Sequence, residues 1–171
     1  MNPVILTNSG NYFNFLYPED SNYTIEDIAH ALSHINRWTG HTRVPYNVAD
    51  HSVRVSLLVP KRMALCALLH DASEAFCGDV SSPLKAMLPE YKEIEQRVEK
   101  AIFSKFGIDY PYPKEVKIAD LTLLVTERRD LLPAGDDIVI DGIKPLKERI
   151  WPLKNRESKE AFLNRFRELT E

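Results

Sequence analysis

Residues 64–74 read Ala-Leu-Cys-Ala-Leu-Leu-His-Asp-Ala-Ser-Glu, and this stretch decides how the chain folds. Its apolar run ends directly at His70 and Asp71. A helix that is apolar on nearly every side should be buried at the centre of the molecule, and we predict such a helix over 61–76, ended by Gly78. Burying an ionised aspartate there is costly unless a cation or strong donors compensate. The stretch therefore predicts both a helical core and a place where a positive charge binds.

Helical periodicity extends to both sides of this stretch. Thr24 followed by Asp27 resembles an N-terminal cap, and apolar residues then recur at helical spacing up to Ile35. Further helices are predicted over 48–59, over 91–106, after Pro113 and around 161–169.

The expected fold is an all-α, single-domain helical bundle with a metal site between helices. The chain has 171 residues, which suits one domain. We expect residues 1–24 to form an irregular or weakly extended arm and residues 25–130 to form the motif-bearing helical core. Residues 131–171 should contribute a connection, with a short strand at Ile138–Ile140, and a last helix.

Composition excludes several classes of protein. A net charge of −3 lacks the basic footprint of proteins that grip a nucleic-acid backbone, so no polymeric nucleic acid is expected as a partner. The longest apolar stretches fall far short of the ~20 residues that a membrane span needs, and residues 1–10 do not resemble a secretory signal. Cys66 and Cys77 form no disulfide framework. We therefore expect a cytoplasmic protein without a membrane partner.

Metal-binding side chains occupy positions where apolar residues would otherwise face the core. His51 lies on the inner face of the second predicted helix, and Asp120 interrupts the inner face of the fifth. With His70 and Asp71 they offer two imidazoles and two carboxylates, which suit a divalent ion such as Mn, Co, Zn, Ni, Fe or Mg. Such a set leaves coordination positions for water and phosphate, as a catalytic site requires. The sequence does not identify the ion, and a second ion that arrives with substrate is left open.

Two more carboxylates follow these ligands. Glu74 comes four residues after His70 and three after Asp71, so all three can line one end of a helix. Asp79 follows in the turn beyond Gly78. A carboxylate near an activated water can orient it or accept its proton. The alternatives are that Glu74 caps its helix or pairs with a lysine, and that Asp79 is only a turn residue.

Five motifs follow one another along the chain. They are Arg37-Trp38, His51-Ser52, Leu69-His70-Asp71-Ala72-Ser73-Glu74, Gly78-Asp79-Val80-Ser81-Ser82-Pro83-Leu84-Lys85 and Lys117-Ile118-Ala119-Asp120. As a set, over residues 25–130, they resemble the HD-domain phosphohydrolases. The similarity is greatest to bacterial 5′-deoxynucleotidases and to short phage-type enzymes that include a dATP triphosphohydrolase.

The resemblance implies a role for each matching residue and a homo-oligomeric assembly. His51, His70, Asp71 and Asp120 match the metal ligands. Glu74 and Asp79 match catalytic acidic positions, and Arg37 matches a phosphate-binding arginine. Lys85 lies in a matching stretch and could also contact phosphate.

The remaining candidate residues keep two interpretations each. Trp38 could stack on a base or belong to the core. His41, in the same loop, could reach substrate phosphate. His30 and His34 are spaced for metal binding on a helix, but this spacing is more typical of a helix surface or a hydrogen-bonded core position.

The predicted function is cleavage of the 5′-phosphate ester of a small deoxynucleotide. The phage-type likeness favours a dNTP, with dATP as a candidate, hydrolysed to deoxynucleoside and triphosphate. The alternative is a 5′-deoxynucleotidase acting on dNMPs. A non-catalytic nucleotide-binding regulatory module is the alternative of another class, although such a module has no need of both Glu74 and Asp79.

Overall fold

The computed structural model describes residues 3–135 and 140–171, and the described part is mostly helical. It contains eight α-helices, which are α1 (Ile25–His34), α2 (Val48–Leu57), α3 (Lys61–Leu69), α4 (Glu74–Cys77), α5 (Ser82–Lys85), α6 (Pro89–Lys105), α7 (Lys114–Leu131) and α8 (Asn155–Thr170). Two short strands, β1 (Val4–Leu6) and β2 (Tyr12–Asn14), form an antiparallel pair. The all-α prediction is confirmed. The strand predicted at Ile138–Ile140 lies outside the described residues except for Ile140, which is in no strand.

The core surrounds α3, as the apolar run predicted. α2 and α8 both pack against α3 and against each other, and α1 packs against α2 and α8. Leu68 and Leu69 are fully buried in this cluster. Burial of such side chains is the main source of stability, and it fixes the end of α3 firmly in the protein interior. Among the described helices, none has the length and apolar character needed to cross a membrane.

The prediction of one continuous helix over 61–76 is wrong. The helix stops at Leu69, and a tight turn over residues 70–73 leads into α4. In this turn the amides of Ala72 and Glu74 donate to the carbonyls three residues earlier, of Leu69 and Asp71, each at 3.0 Å. The tighter winding changes the directions in which the acidic and imidazole side chains point. Gly78 then ends α4 with a φ of 80° and donates its amide to the Glu74 carbonyl.

The N-terminal arm is more regular than predicted. Its hairpin pairs Ile5 with Phe13, and the Phe13 ring stacks on Phe76 of α4 with the ring centroids 3.7 Å apart. The Ser9 amide and hydroxyl donate to the Asp27 carboxylate at 2.8 and 2.9 Å. These contacts lie far apart in sequence, which is why local periodicity did not reveal them. The Thr24–Asp27 cap of α1 is present, as predicted.

Candidate active site

Three helices bring four predicted metal ligands together. His51 comes from α2, His70 and Asp71 follow α3, and Asp120 comes from α7. One ligand atom each from His51, His70 and Asp120 lies within 4.8 Å of the others. The Asp120 Oδ1 atom is 3.4 Å from His51 Nε2 and 3.9 Å from His70 Nε2. Asp71 Oδ2 is 3.5 Å from His51 Nε2 and 3.2 Å from His70 Nε2.

The two imidazoles are arranged as metal ligands. Each Nε2 atom is buried and forms no hydrogen bond with the described residues. The other nitrogen of each ring has a hydrogen-bond partner. His70 Nδ1 lies 2.8 Å from the Ala67 carbonyl oxygen, and His51 Nδ1 lies 2.6 Å from Glu127 Oε1. Bonds of ~2.0–2.2 Å to one ion would put neighbouring ligand atoms roughly 3.0–3.5 Å apart, close to the distances here. The residues present therefore fit a divalent ion.

The charges of the cluster favour ionised carboxylates. Burial opposes ionisation of Asp71 and Asp120, but the neighbouring histidines outweigh it, and the pKa of both carboxyls lies below the usual range. Burial and Arg37 lower the pKa of His51, yet Glu127 and Asp120 outweigh them and raise it to about 9. A cation that binds here meets two carboxylates and displaces a proton from His51.

Glu127 is the site residue that the sequence reasoning missed. Its side chain is fully buried, and it lies two turns after Asp120 on α7. Besides its bond to His51, it accepts hydrogen bonds from Trp38 Nε1 at 2.9 Å and from Arg37 Nε at 3.1 Å. Carboxylates in this position fix the tautomer and orientation of a metal-binding histidine. The available signal was its place on the same helix face as Asp120.

The loop before α2 is held in a strained conformation. Trp38 and Thr39 have φ values of 56° and 51°, in the left-handed region that non-glycine residues rarely adopt. A bridge between Asn36 and Asn47 closes the loop at its base. Arg37 is buried, and its Nη1 lies 3.4 Å from Asp71 Oδ2. Such strain persists where the surroundings enforce it and is concentrated at functional sites.

The two predicted catalytic acids share one cavity with the ligands. This cavity has a volume of about 630 Å³ and is lined by Glu74 and Asp79 as well as His70, Asp71 and Asp120. Glu74 is buried, and its Oε2 atom has no hydrogen-bond partner among the described residues. Burial, Asp71 and Asp79 raise the pKa of Glu74 well above its usual value, and burial followed by Asp71 raises the pKa of Asp79. Raised pKa values of this kind make both carboxyls candidates for proton transfer.

The predicted substrate-binding residues are only partly brought together. Arg37, Trp38 and Lys85 line the cavity, and Lys85 Nζ forms an ion pair with Glu95 Oε1 at 2.6 Å. His41 is exposed and is not among the lining residues, so the structure does not bring it to the site.

The His30 and His34 rings lie side by side on α1 with their centroids 4.4 Å apart and their planes tilted by 34°, away from this cavity. His34 Nδ1 lies 2.8 Å from the His30 carbonyl oxygen. These contacts match the helix-surface interpretation, and the metal-ligand cluster found in the described residues does not include either ring.

An all-helical fold that presents a His, a His-Asp pair and a distant Asp to one point defines the class of HD-domain phosphohydrolases, and the chain belongs to this family. A family model described as 5′-deoxynucleotidase YfbR-like matches residues 58–138. The protein YfdR of Escherichia coli K12 is 42% identical over 171 residues, which cover 98% of this chain and 96% of YfdR.

Several relatives carry the name 5′-deoxynucleotidase, and two of them illustrate the range of similarity. The one from Photorhabdus laumondii is 28% identical over 161 residues, 81% of this chain and 70% of that protein. The one from Vibrio parahaemolyticus is 34% identical over 91 residues, 41% of this chain and 47% of that protein. The predicted family and the prediction of a nucleotide phosphohydrolase are confirmed.

Proposed function

We propose that this protein is a 5′-deoxynucleotidase that hydrolyses deoxynucleoside monophosphates with a divalent ion held by His51, His70, Asp71 and Asp120. One observation carries the proposal. Two buried imidazole nitrogens without hydrogen-bond partners face two carboxylates of lowered pKa, beside the unpartnered Glu74 Oε2. The names of the relatives support a deoxynucleotide as substrate.

The proposed chemistry divides proton transfer between two carboxyls. The ion, when bound, would polarise a phosphoryl oxygen and activate a water molecule. Glu74, in the ionised form that a nearby cation would favour, accepts the proton of the attacking water as the new bond to phosphorus forms. Asp79, whose pKa is also raised, donates a proton to the 5′-oxygen as the phosphorus–oxygen bond breaks. The products are a deoxynucleoside and inorganic phosphate, and one proton passes from Glu74 back to Asp79 through solvent.

Arg37 is positioned to bind the phosphate. Its Nε and Nη1 atoms are held by Glu127 and Asp71, whereas Nη2 forms no hydrogen bond with the described residues. Because the guanidinium is already fixed, little freedom is lost when Nη2 donates to a phosphate oxygen. Lys85 would add a second cation if a substrate phosphate competed for it with Glu95.

The charge of the cavity favours a monophosphate over the triphosphate suggested by the sequence. The cavity is lined by one arginine and three lysines. Arg37, Lys85 and Lys117 are each paired with a carboxylate, whereas Lys92 forms no ion pair with any described residue. A triphosphate brings more negative charge than these groups can offset. The volume of about 630 Å³ nevertheless has room for one, so dNTP hydrolysis, including that of dATP, is the second candidate. A second divalent ion beside Glu74 and Asp79 would assist that route.

The test measures both reactions on the same preparation loaded with Mn²⁺ or Co²⁺. Phosphate release from dNMPs is followed with malachite green, and the products of dNTPs are separated by chromatography. We expect phosphate from dAMP. Triphosphate from dATP without phosphate from dAMP would establish the second candidate. A metal-loaded protein that binds nucleotides but turns over neither substrate would be the non-catalytic module.

A cytoplasmic homo-oligomer is the assembly that we expect from the family resemblance.

A further inference from the structure

The cavity extends well beyond the metal ligands and is bounded by one face of α6. Four residues of α6 line it at intervals of three and four, which places them on one side of the helix, namely Lys92, Glu95, Gln96 and Glu99. Leu121 and Leu124 of α7 and the segment 110–112 also line the cavity. Cavities of ~300–1,000 Å³ typically hold whole small-molecule ligands, so about 630 Å³ provides space for the rest of a nucleotide as well as its phosphate.

Glu99 is a carboxyl in this region that lacks a partner among the described residues. It is half-buried and forms no hydrogen bond or ion pair with any described residue. By contrast, Glu95, one turn earlier, pairs with Lys85 and accepts a hydrogen bond from the Tyr91 hydroxyl at 3.3 Å. Burial, followed by Glu95 and Asp71, raises the pKa of Glu99 to about 7, although His70 and Lys85 lower it. A desolvated carboxyl without a donor is unfavourable in the free protein, and a ligand that supplies an N–H would relieve it.

Aromatic rings lie beside this carboxyl. Tyr112 packs against His70 and Phe103, with ring centroids 6.4 Å from each. Burial and the charge of Glu99 both raise the pKa of the Tyr112 hydroxyl, which places this hydroxyl in the electrostatic neighbourhood of the carboxyl. Tyr110 lines the same part of the cavity and is 39% exposed. Aromatic faces bind the flat faces of nucleobases, so the rings and the carboxyl together offer contacts for both the face and the edge of a base.

We propose that Glu99, with Gln96, Tyr110 and Tyr112 around it, forms a nucleobase subsite in which Glu99 accepts a hydrogen bond from the exocyclic amino group of the base. The proposal rests on the proposed function, because it assumes a nucleotide in this cavity. A carboxyl oxygen can accept this bond whether or not the group is protonated. Adenine and cytosine carry an amino group on the base-pairing edge, whereas hypoxanthine and uracil carry a carbonyl oxygen at the same position. As a carboxylate Glu99 can accept a hydrogen bond but cannot donate one, so in its ionised form it makes the site selective for the amino bases, and the assays are run at about pH 8.5, where this form prevails.

In two pairs of substrates the amino group is replaced by a carbonyl oxygen, and the adjacent ring nitrogen changes with it from an acceptor to a donor. We expect kcat/KM of the wild type to be at least about tenfold higher for dAMP than for dIMP, and for dCMP than for dUMP, since sites built to hydrogen-bond a substrate group reject analogues that lack it. Glu99→Leu should bring both ratios to about one, chiefly by lowering the values for dAMP and dCMP. Glu99→Gln, whose amide can accept from an amino group or donate to a carbonyl, should retain overall turnover with ratios within about threefold of one. Glu93→Gln, on the exposed side of α6, is the matched control and should leave the ratios unchanged.

Two results would overturn the subsite. One is a pair of wild-type ratios near one. The other is an equal fall for all four substrates in Glu99→Leu, which would indicate a merely structural or long-range electrostatic role. If the wild type hydrolyses none of them, the proposed function fails, and calorimetric binding of the same four nucleotides to the Mn²⁺-loaded protein decides the subsite separately. Amino-selective binding that Glu99→Leu abolishes would then support it, and equal binding of all four would contradict it.

Discussion

Two groups of carboxyls in one cavity have opposite electrostatic surroundings. In the ligand cluster, formed by His51, His70, Asp71 and Asp120, the carboxylates lie within 4 Å of imidazole nitrogens, and the pKa of each is lowered. In the acidic pair, Glu74 and Asp79 have no ion-pair or hydrogen-bond partner for their carboxyl groups among the described residues, and the pKa of each is raised. Asp71 and Glu74 are only three residues apart, so the difference arises from three-dimensional neighbours and not from local sequence.

This contrast assigns different chemistry to each group. A lowered carboxyl pKa leaves a negative charge that can bind a cation at neutral pH, whereas a raised pKa makes it easier for a carboxyl to hold and pass on a proton. The tight turn at residues 70–73 makes the separation possible, because it ends α3 at the ligand cluster and begins α4 at Glu74. Substitutions that act on only one group test whether the separation is real.

The largest expected effect is on turnover in Glu74→Gln. The amide cannot accept a proton from water, so phosphate release should fall by about 100- to 10,000-fold, the usual contribution of general acid–base catalysis. Metal content should stay unchanged because the ligand cluster is intact. Steady-state assays with metal analysis of the same samples check both points, with Glu93→Gln as the charge-matched control. Turnover within threefold of the wild type would remove Glu74 from the mechanism.

A smaller effect is expected in Glu127→Gln, which alters the support of the ligand cluster. The amide keeps the shape of the side chain but loses the charge that orients His51 and Arg37. Metal affinity should weaken by about 10- to 100-fold, as is typical when a partner of a metal-binding histidine is changed. Competition with a chelator measures the affinity, and Glu115→Gln, exposed on the same helix, is the control. An unchanged affinity would show that Glu127 serves only the fold.

The smallest expected effect is on the stability of the metal-free protein, and it should have opposite signs in the two groups. The folded protein holds Glu74 at a raised pKa, so its destabilising effect is absent below the unfolded value near 4.5 and grows as pH rises. Glu74→Gln should raise Tm by roughly 2–4 °C at pH 7, about 1 kcal/mol for a chain of this size, and by less at pH 5.

Asp120→Asn should lower Tm at both pH values. The lowered pKa of Asp120 means that its ionised form stabilises the fold above the unfolded value near 3.8, and this contribution is lost only as the pH falls further. Thermal scans in a chelator at pH 5 and pH 7 measure both variants. A fall in Tm for both at pH 7 would contradict the electrostatic contrast.

Helical periodicity was sufficient to predict much of the site. His51 and Asp120 interrupt apolar faces, and His70 and Asp71 end an apolar run, so each position indicates an inward-facing polar side chain. Glu74 and Asp79 come shortly after that run in the sequence, which is why they were expected near the same cavity. The structure brings these six residues to one place. For His51 and Asp120 the helix face alone determines this position, whereas the turn over residues 70–73 also sets the directions of the side chains around it.

The features that periodicity did not predict depend on contacts between distant residues. Glu127 shares a helix face with Asp120, but its role as a partner of His51 becomes visible only when the structure places Arg37, Trp38 and His51 around it. The break after Leu69 replaces helical hydrogen bonds by tighter ones, although the sequence there contains neither glycine nor proline. Glu99 resembles any charged residue of an amphipathic helix until the cavity is seen beside it.

The binding of Mn²⁺ to the nucleotide-free protein tests the central claim most directly. Calorimetry should show one ion bound per chain in the wild type and in His34→Ala, whose imidazole lies outside the ligand cluster. In His51→Ala, checked for unchanged helix content by circular dichroism, binding at the same concentrations should be lost. A folded His51→Ala protein that binds Mn²⁺ as tightly as the wild type would contradict the assignment of the metal to these residues.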